Sequence, residues 1–230
     1  SDTNVYVFNC LFISISSTSS GGALSCTSSV TCLLIESTSF FSCKTSGSNG
    51  GAIYFKNTNN GQCVLHKVCG YDCCASTSSS TDGQFTYVYA YNGAPYKNYV
   101  NYSSVARCVN GYSTSWDSLR HYYGKICFPS INVSKNKCYG RTAVLCNPLS
   151  DSNSVTCSLT FSSFVDNIAI GSICLWLNTG GANYEIKSCN ILRNTQGNLG
   201  SEGTFYISGN LKIEDSCVLE NKANCIFYQS

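Results

Sequence analysis

Seventeen cysteines, sixteen tyrosines and two Asn-x-Ser sequons are the residues of this 230-residue chain best equipped to do chemistry. Thiols at this density form disulfides in an oxidising compartment. Their number is odd, which leaves at least one free or joined to another molecule. They lack the paired spacing of a zinc module. The nearest approach to a ligand cluster, His66, Cys69, Cys73 and Cys74, reads as disulfide-forming cysteine beside a histidine, so no metal and no cofactor is expected. The sequons Asn101-Tyr102-Ser103 and Asn132-Val133-Ser134 are acceptors for N-glycans on an exported chain.

Catalysis finds little to work with. Glycoside hydrolysis needs two carboxylates about 5–9.5 Å apart on one face, and the twelve acidic residues are scattered. Asp166 falls at a corner, while Glu214 and Asp215 are neighbours in a strand and point to opposite faces. Lyase chemistry would want aligned basic residues and acidic metal ligands. A Ser-His-Asp arrangement would have to use His66 or His121, and neither lies in a nucleophile motif. The chain is expected not to be an enzyme. A net charge of +2 and 11 % charged residues leave no basic stripe for nucleic acid, the densest cluster being Lys135, Lys137 and Arg141. No run of 18 apolar residues marks a transmembrane segment, and Ser1 follows no basic and apolar leader. The expectation is a mature secreted chain or an excised piece of a longer cell-surface protein.

The elements that carry these residues repeat about every 28 positions. Phe12, Phe40, Val68, Val105, Val133, Phe164, Ile191 and Val218 form a wholly apolar column. Five residues earlier runs a second one: Val7, Ile35, Cys63, Val100, Phe128, Leu159, Ile186 and Ile213. Three residues later stand Ile15, Cys43, Tyr71, Cys108 and then Asn136, Asn167, Asn194 and Asn221. Within each unit polarity alternates with period two, as in Tyr184, Ile186 against Glu185, Lys187, which is the pattern of a half-buried strand. The spacing predicts an all-β, right-handed parallel β-helix of about eight coils, one solenoid domain over 1–230 with tyrosine-rich loop insertions around 76–99 and 109–125.

In this register Glu185 lies over Lys212 and Lys187 over Glu214, two favourable outward pairs. The four asparagines read as a stacked amide ladder at a corner whose left-handed backbone Asn tolerates. Glycine corners precede a third strand, as in Gly21-Gly22-Ala23-Leu24, Gly50-Gly51-Ala52-Ile53, Asp82-Gly83-Gln84-Phe85, Gly171-Ser172-Ile173-Cys174 and Glu202-Gly203-Thr204-Phe205. The two GGA-L/I motifs and the F-x-x-N of Phe164 to Asn167 resemble the repeat of polymorphic outer-membrane proteins. The Cys-, Asn- and Tyr-rich texture resembles the expanded set of such proteins on parasitic protists. The resemblance implies a surface-exposed β-helix of adhesive type and transfers no catalytic residue.

Stacked positions about 4.8 Å apart suit disulfide bridges between coils. Cys189 with Cys217, Cys146 with Cys174, and Cys127 with Cys157 are the candidate staples. Nine of the sixteen tyrosines lie between Gln84 and Tyr123, and Tyr96, Tyr99, Tyr112 and Trp116 are the candidate ligand loop, against a reading in which the rings simply pack. Uncapped apolar ends would expose Val5, Val7, Phe12 and Leu24 at one side and Leu211, Ile213, Val218, Ile226 and Phe227 at the other. Two functions follow as expectations. One is an extracellular structural and adhesive solenoid whose partner is itself, stacked head to tail in a filament. The other is a monomeric cell-surface module holding a glycan or protein on its tyrosine-rich loops, with a carbohydrate-active enzyme as a remote third.

Overall fold

The computed structural model describes residues 3–75, 81–91, 96–108, 115–141, 143–169, 174–197 and 203–230. The chain winds as a parallel β-solenoid of about seven turns. Three long sheets run the length of the molecule, each of eight strands in coil order. The first sheet begins at Thr3–Phe8 and ends at Asn210–Glu214, the second runs from Leu11–Ile13 to Cys217–Leu219, and the third from Leu24–Cys26 to Phe227–Gln229. All pair in parallel, one coil to the next. Alternation then sends every second side chain inward, where Phe40, Phe55, Phe85, Phe128, Phe164 and Phe205 lie fully buried.

Both ends of each second-sheet strand turn through a non-glycine residue in the left-handed region. Asn9, Ser37, Lys67, Tyr102, Ser130, Phe161, Ser188 and Asp215 stand before the strands, and Ser14, Ser42, Asp72, Arg107, Lys135, Asp166, Arg193 and Glu220 after them, with φ between 48° and 57°. Such a conformation disfavours an L-residue by about 1 kcal/mol. Inter-coil hydrogen bonds offset it, because these residues continue the ladder: Lys67 N–H donates to the Asn101 carbonyl and Phe161 N–H to that of Lys187. The left-handed residue therefore precedes each stacked asparagine, and the expectation that the asparagine itself turns the corner is corrected.

The apolar columns hold except in the third coil, where the expected register is two residues out. Gly70, not Val68, lies beside Phe40 and Val105, and Leu65, not Cys63, lies beside Ile35 and Val100. The cause is Phe85. It stacks on Ala52 rather than Ile53, and its ring fills the space over Gly70, where a Cβ would stand 2.5 Å from the ring. An aromatic ring from the third sheet replaces the missing side chain of the second. With that shift the column after the second-sheet strands becomes Ile15, then the thiols Cys43, Cys73 and Cys108, then Asn136, Asn167, Asn194 and Asn221.

The asparagine part is a continuous ladder. Asn136 donates both its backbone N–H and its side-chain amide to Asn167 Oδ1, at 3.1 and 3.0 Å, and Asn167 does the same to Asn194. Each amide also reaches a carbonyl of the strand one coil back, as Asn167 Nδ2 does to Val133 at 2.8 Å. Cys43 and Cys73 direct their thiols to the corresponding carbonyls of Phe12 and Phe40. Outside, Glu185 pairs in register with Lys212 and Lys187 with Glu214. Lys212 turns to Glu214 of its own strand, at 2.8 Å.

The tyrosine-rich insertions are smaller than expected. Thr86–Ala90, Lys97–Asn101 and Leu119–Tyr122 are regular strands in the sheets, leaving only parts of 76–99 and 109–125 outside the described residues. The Gly171 to Ile173 corner also lies outside them.

Candidate binding face and the sites that packing explains

Three arrangements bring reactive side chains together, and two of them are structural. In the interior, Thr86 Oγ1 lies 3.0 Å from His121 Nε2, and His121 Nδ1 lies 2.6 Å from Asn98 Oδ1. A hydroxyl, an imidazole and an amide in this order resemble a nucleophile chain. All three are fully buried, so a substrate has no approach. Asn98 spends its amide on the carbonyls of Tyr122 and Tyr123, and Phe128 sets its ring edge-on to the imidazole at 4.9 Å. Burial lowers the His121 pKa to about 3, which keeps the ring neutral and makes the network a satisfied polar element of the core.

The second arrangement is ionic. Arg120 Nε donates to Asp117 Oδ2 at 2.7 Å and its guanidinium pairs also with Asp82. Arg141 lies 3.5 Å from the other Asp117 oxygen and is clamped between the rings of Trp116 and Trp176, 4.5 and 3.5 Å from their centroids. Burial opposes the charge of Arg120, but Asp117 and Asp82 outweigh it and hold its pKa above the ordinary value. Asp82 is raised by its own burial. Two carboxylates shared by one guanidinium are not poised as acid and base. Trp116, expected in a ligand loop, instead covers Arg141 and lies against Gly140.

The third arrangement is on the surface. Outward positions of three successive third-sheet strands, Ile53–Asn57, Thr86–Ala90 and Leu119–Tyr122, carry a continuous array of phenols. Tyr54 stacks on Tyr87 at 5.3 Å, Tyr87 meets Tyr122 at 5.9 Å, and Tyr122 meets Tyr89 at 5.8 Å. Tyr123 closes the group, edge-on to Tyr89 and Tyr91 at 4.9 and 5.0 Å. Lys56 lies over the Tyr89 ring. Burial first, and the Tyr123 hydrogen bond second, push the Tyr89 phenol up to about 12, and burial raises Tyr87 and Tyr122 as well. Every one of these three stays a neutral hydrogen-bond donor at physiological pH. Further along the sheet Trp176, Tyr206 and Tyr228 form a second row.

The expected ligand residues do not assemble. Tyr99 points outward from the first sheet beside Cys127, Tyr96 precedes that strand, Trp116 belongs to the ionic cluster, and Tyr112 lies outside the described residues. In the sequence, the Tyr87-x-Tyr89-x-Tyr91 alternation is the visible signal of the outward array.

The cysteine pairs are corrected also. No two of the seventeen sulfurs lie at disulfide-bonding distance in this structure. Cys217 lies beside Asn190, not Cys189, and Cys127 beside Ser158, not Cys157; each expected pair is one residue out of phase and so on opposite faces. Cys146 lies beside Leu177, three residues from Cys174. The thiols that do meet are Cys43 with Cys73 and Cys146 with Cys157, each pair joined by a hydrogen bond. Of the sequons, Asn132 is exposed and Asn101 half-buried, with its Oδ1 enclosed and unpartnered.

At the first coil Val5, Val7, Phe12 and Leu24 are partly buried against the core, as are Leu211, Ile213, Val218 and Ile226 at the last, where Phe227 is half exposed over Phe205. Among the described residues no helix is long and apolar enough to cross a membrane, and no three His, Cys, Asp or Glu side chains gather as metal ligands. Fold and face together define a parallel β-solenoid with an aromatic surface. Comparison of the chain with protein-family models, with curated proteins and with solved structures finds no match.

Proposed function

We propose that the chain is an extracellular, structural and adhesive β-solenoid that holds a neutral polysaccharide on its tyrosine face. The observation that carries this reading is the array of six phenols in unbroken ring contact across three coils. A sugar offers an apolar C–H face with hydroxyls at its rim, and tyrosine offers a flat ring with a polar tip. Strands about 4.8 Å apart repeat those rings at the length of a sugar unit, so an extended glycan lying along the axis meets successive coils. No cluster of basic groups on the array calls for a polyanion: Lys56 stands alone over Tyr89, and Arg120, beside the array, is already held by two carboxylates.

The resemblance to polymorphic outer-membrane repeats supports surface display. On this reading the solenoid is right-handed, as parallel crossovers almost always are, has eight coils, and is stapled after export by Cys43–Cys73 and Cys146–Cys157 disulfides. Retention on insoluble cellulose or chitin tests the face. Wild type is expected to be retained, and Tyr89→Ala with Tyr122→Ala to weaken retention at least tenfold, each lost ring contact being worth about 0.5–1.5 kcal/mol. Equal retention would sink the reading.

A second reading, end-to-end assembly, is favoured by the mouth of the solenoid at the last coil. A cavity of about 470 Å³ opens there, lined by Ile207, Leu211, Ile213 and Phe227. A coil in the same register would cover it, whether from further chain or from a second copy. Electron microscopy distinguishes these: filaments that Phe227→Glu abolishes would establish assembly, and single rods would exclude it.

A further inference from the structure

The most exposed aromatic side chains of the second-sheet corners lie outside the core, Tyr102 meeting the His66 ring edge-on at 5.6 Å. Phe161 is 67 % and Tyr102 61 % exposed, and both sit at left-handed corner positions that serine fills in other coils, at Ser37, Ser130 and Ser188. Leaving a phenyl ring in water wastes roughly 2 kcal/mol of burial. The two rings are one coil to either side of Asn132, and together with Lys67, Ser104 and Ser163 they line a groove of about 530 Å³ that has this asparagine in its wall. Asn132 itself is exposed, and its Nδ2 makes only long contacts of 3.3 Å to Ser104 and Ser134 Oγ. It opens the sequon Asn132-Val133-Ser134, in which Val133 is buried in the core and Ser134 is half-buried.

We propose that Asn132 carries an N-glycan whose first sugar is seated in this groove between Tyr102 and Phe161, and that the second sequon stays unmodified in the folded protein. The occupant is fixed by its attachment point. A sugar bonded to Nδ2 enters the groove without further cost in translational freedom, so even weak contacts hold it. Its C–H face meets the two rings, and its polar groups meet Ser104, Ser163 and Lys67. Asn101 lacks this setting. Its Oδ1 is enclosed, and Ser103 of its sequon is buried, donating to the Asn101 carbonyl at 2.7 Å and accepting from Val68 N–H; a glycan there would have to open the corner. In the attachment step the Asn132 amide nitrogen bonds to the anomeric carbon of a polyprenyl-diphosphate oligosaccharide. The anomeric C–O bond breaks, the lipid diphosphate leaves with the bonding pair, and the amide proton passes to the medium.

The inference rests on the exported reading and not on the polysaccharide face, so a chain that ignores cellulose and chitin leaves it standing. The test is expression through a eukaryotic secretory pathway with a supplied leader, followed by peptide mass mapping and timed release of the glycan by endoglycosidase under native conditions. The folded secreted protein is expected to be occupied at Asn132 and not at Asn101. Native release is expected to be at least tenfold slower in wild type than in Tyr102→Ser with Phe161→Ser, and equal in the two after denaturation. Serine is native to this corner elsewhere, so the variant keeps the fold. An unoccupied Asn132, an occupied Asn101, or equal native release rates would overturn the proposal.

Discussion

Replacing Asn167 by leucine is expected to lower the free energy of unfolding by about 3–5 kcal/mol, although the two side chains are close in size. Asn167 is fully buried in the middle of the ladder. Its Oδ1 accepts two bonds from Asn136, and its amide donates to Val133 carbonyl and to Asn194 Oδ1. Leucine would take these bonds from two N–H groups of Asn136 and from the Val133 carbonyl inside the solenoid, where each costs about 1–3 kcal/mol, less what relaxation recovers, while Asn194 Oδ1 keeps the Asn167 backbone N–H. Asn167→Cys is expected to lose less, because thiols occupy the same column at Cys43 and Cys73 and reach the same carbonyls. Asn221→Leu at the half-buried end of the ladder should cost about half. Denaturant titration reads all three. A loss below about 1 kcal/mol for Asn167→Leu would mean that the ladder decorates the coils rather than holding them.

Oxidation of the Cys43–Cys73 pair is expected to stabilise the chain by about 3–4 kcal/mol, since the bridge closes a loop of roughly 30 residues. The two positions are stacked, adjacent thiols are hydrogen-bonded, and both are buried. The bond from Cys73 pulls the Cys43 thiol down to about 7 against the effect of burial, and Cys73 is pushed up in turn. An external disulfide oxidant reaches the pair by thiol–disulfide exchange only before the coils close over it, since both thiols are fully buried in the fold. The exchange removes two electrons and two protons from the pair. Non-reducing peptide mapping should recover Cys43 linked to Cys73, and reduction should lower the melting temperature by on the order of 10 °C. Recovery of Cys43 as a free thiol from oxidised, folded protein would contradict the assignment.

How much of this was legible before the structure depended on whether each signal lay within one strand. Alternation in Tyr184 to Lys187 and the run of four asparagines stood in plain view, and both the parallel solenoid and the stacking of Glu185 and Lys187 on the following coil were readable from them. The third coil was not. A search for apolar side chains passes over Gly70, because the ring that fills its place, Phe85, comes from 15 positions on. That two-residue slip also hid Cys73 from the column of Cys43 and Cys108. The disulfide expectation failed on face parity: Cys217 and Cys189 are neighbours in space, yet one is exposed and the other buried. The tyrosine face needed the register of the third sheet, since Tyr54 and Tyr122 lie a coil to either side of Tyr87 and Tyr89. Tyr99 was nearer in sequence and falls on a strand of another sheet, which Tyr96 precedes.

The most direct test of the account is tyrosine nitration of the folded chain, mapped by mass spectrometry with and without saturating soluble cello-oligosaccharide or chito-oligosaccharide. The tyrosine face is expected to be shielded by sugar at Tyr89, Tyr91, Tyr122 and Tyr123, while Tyr6, Tyr71 and Tyr102, exposed elsewhere on the solenoid, react as before. Unchanged nitration of the array under conditions in which the chain is bound to the oligosaccharide would place the binding surface elsewhere and contradict the account.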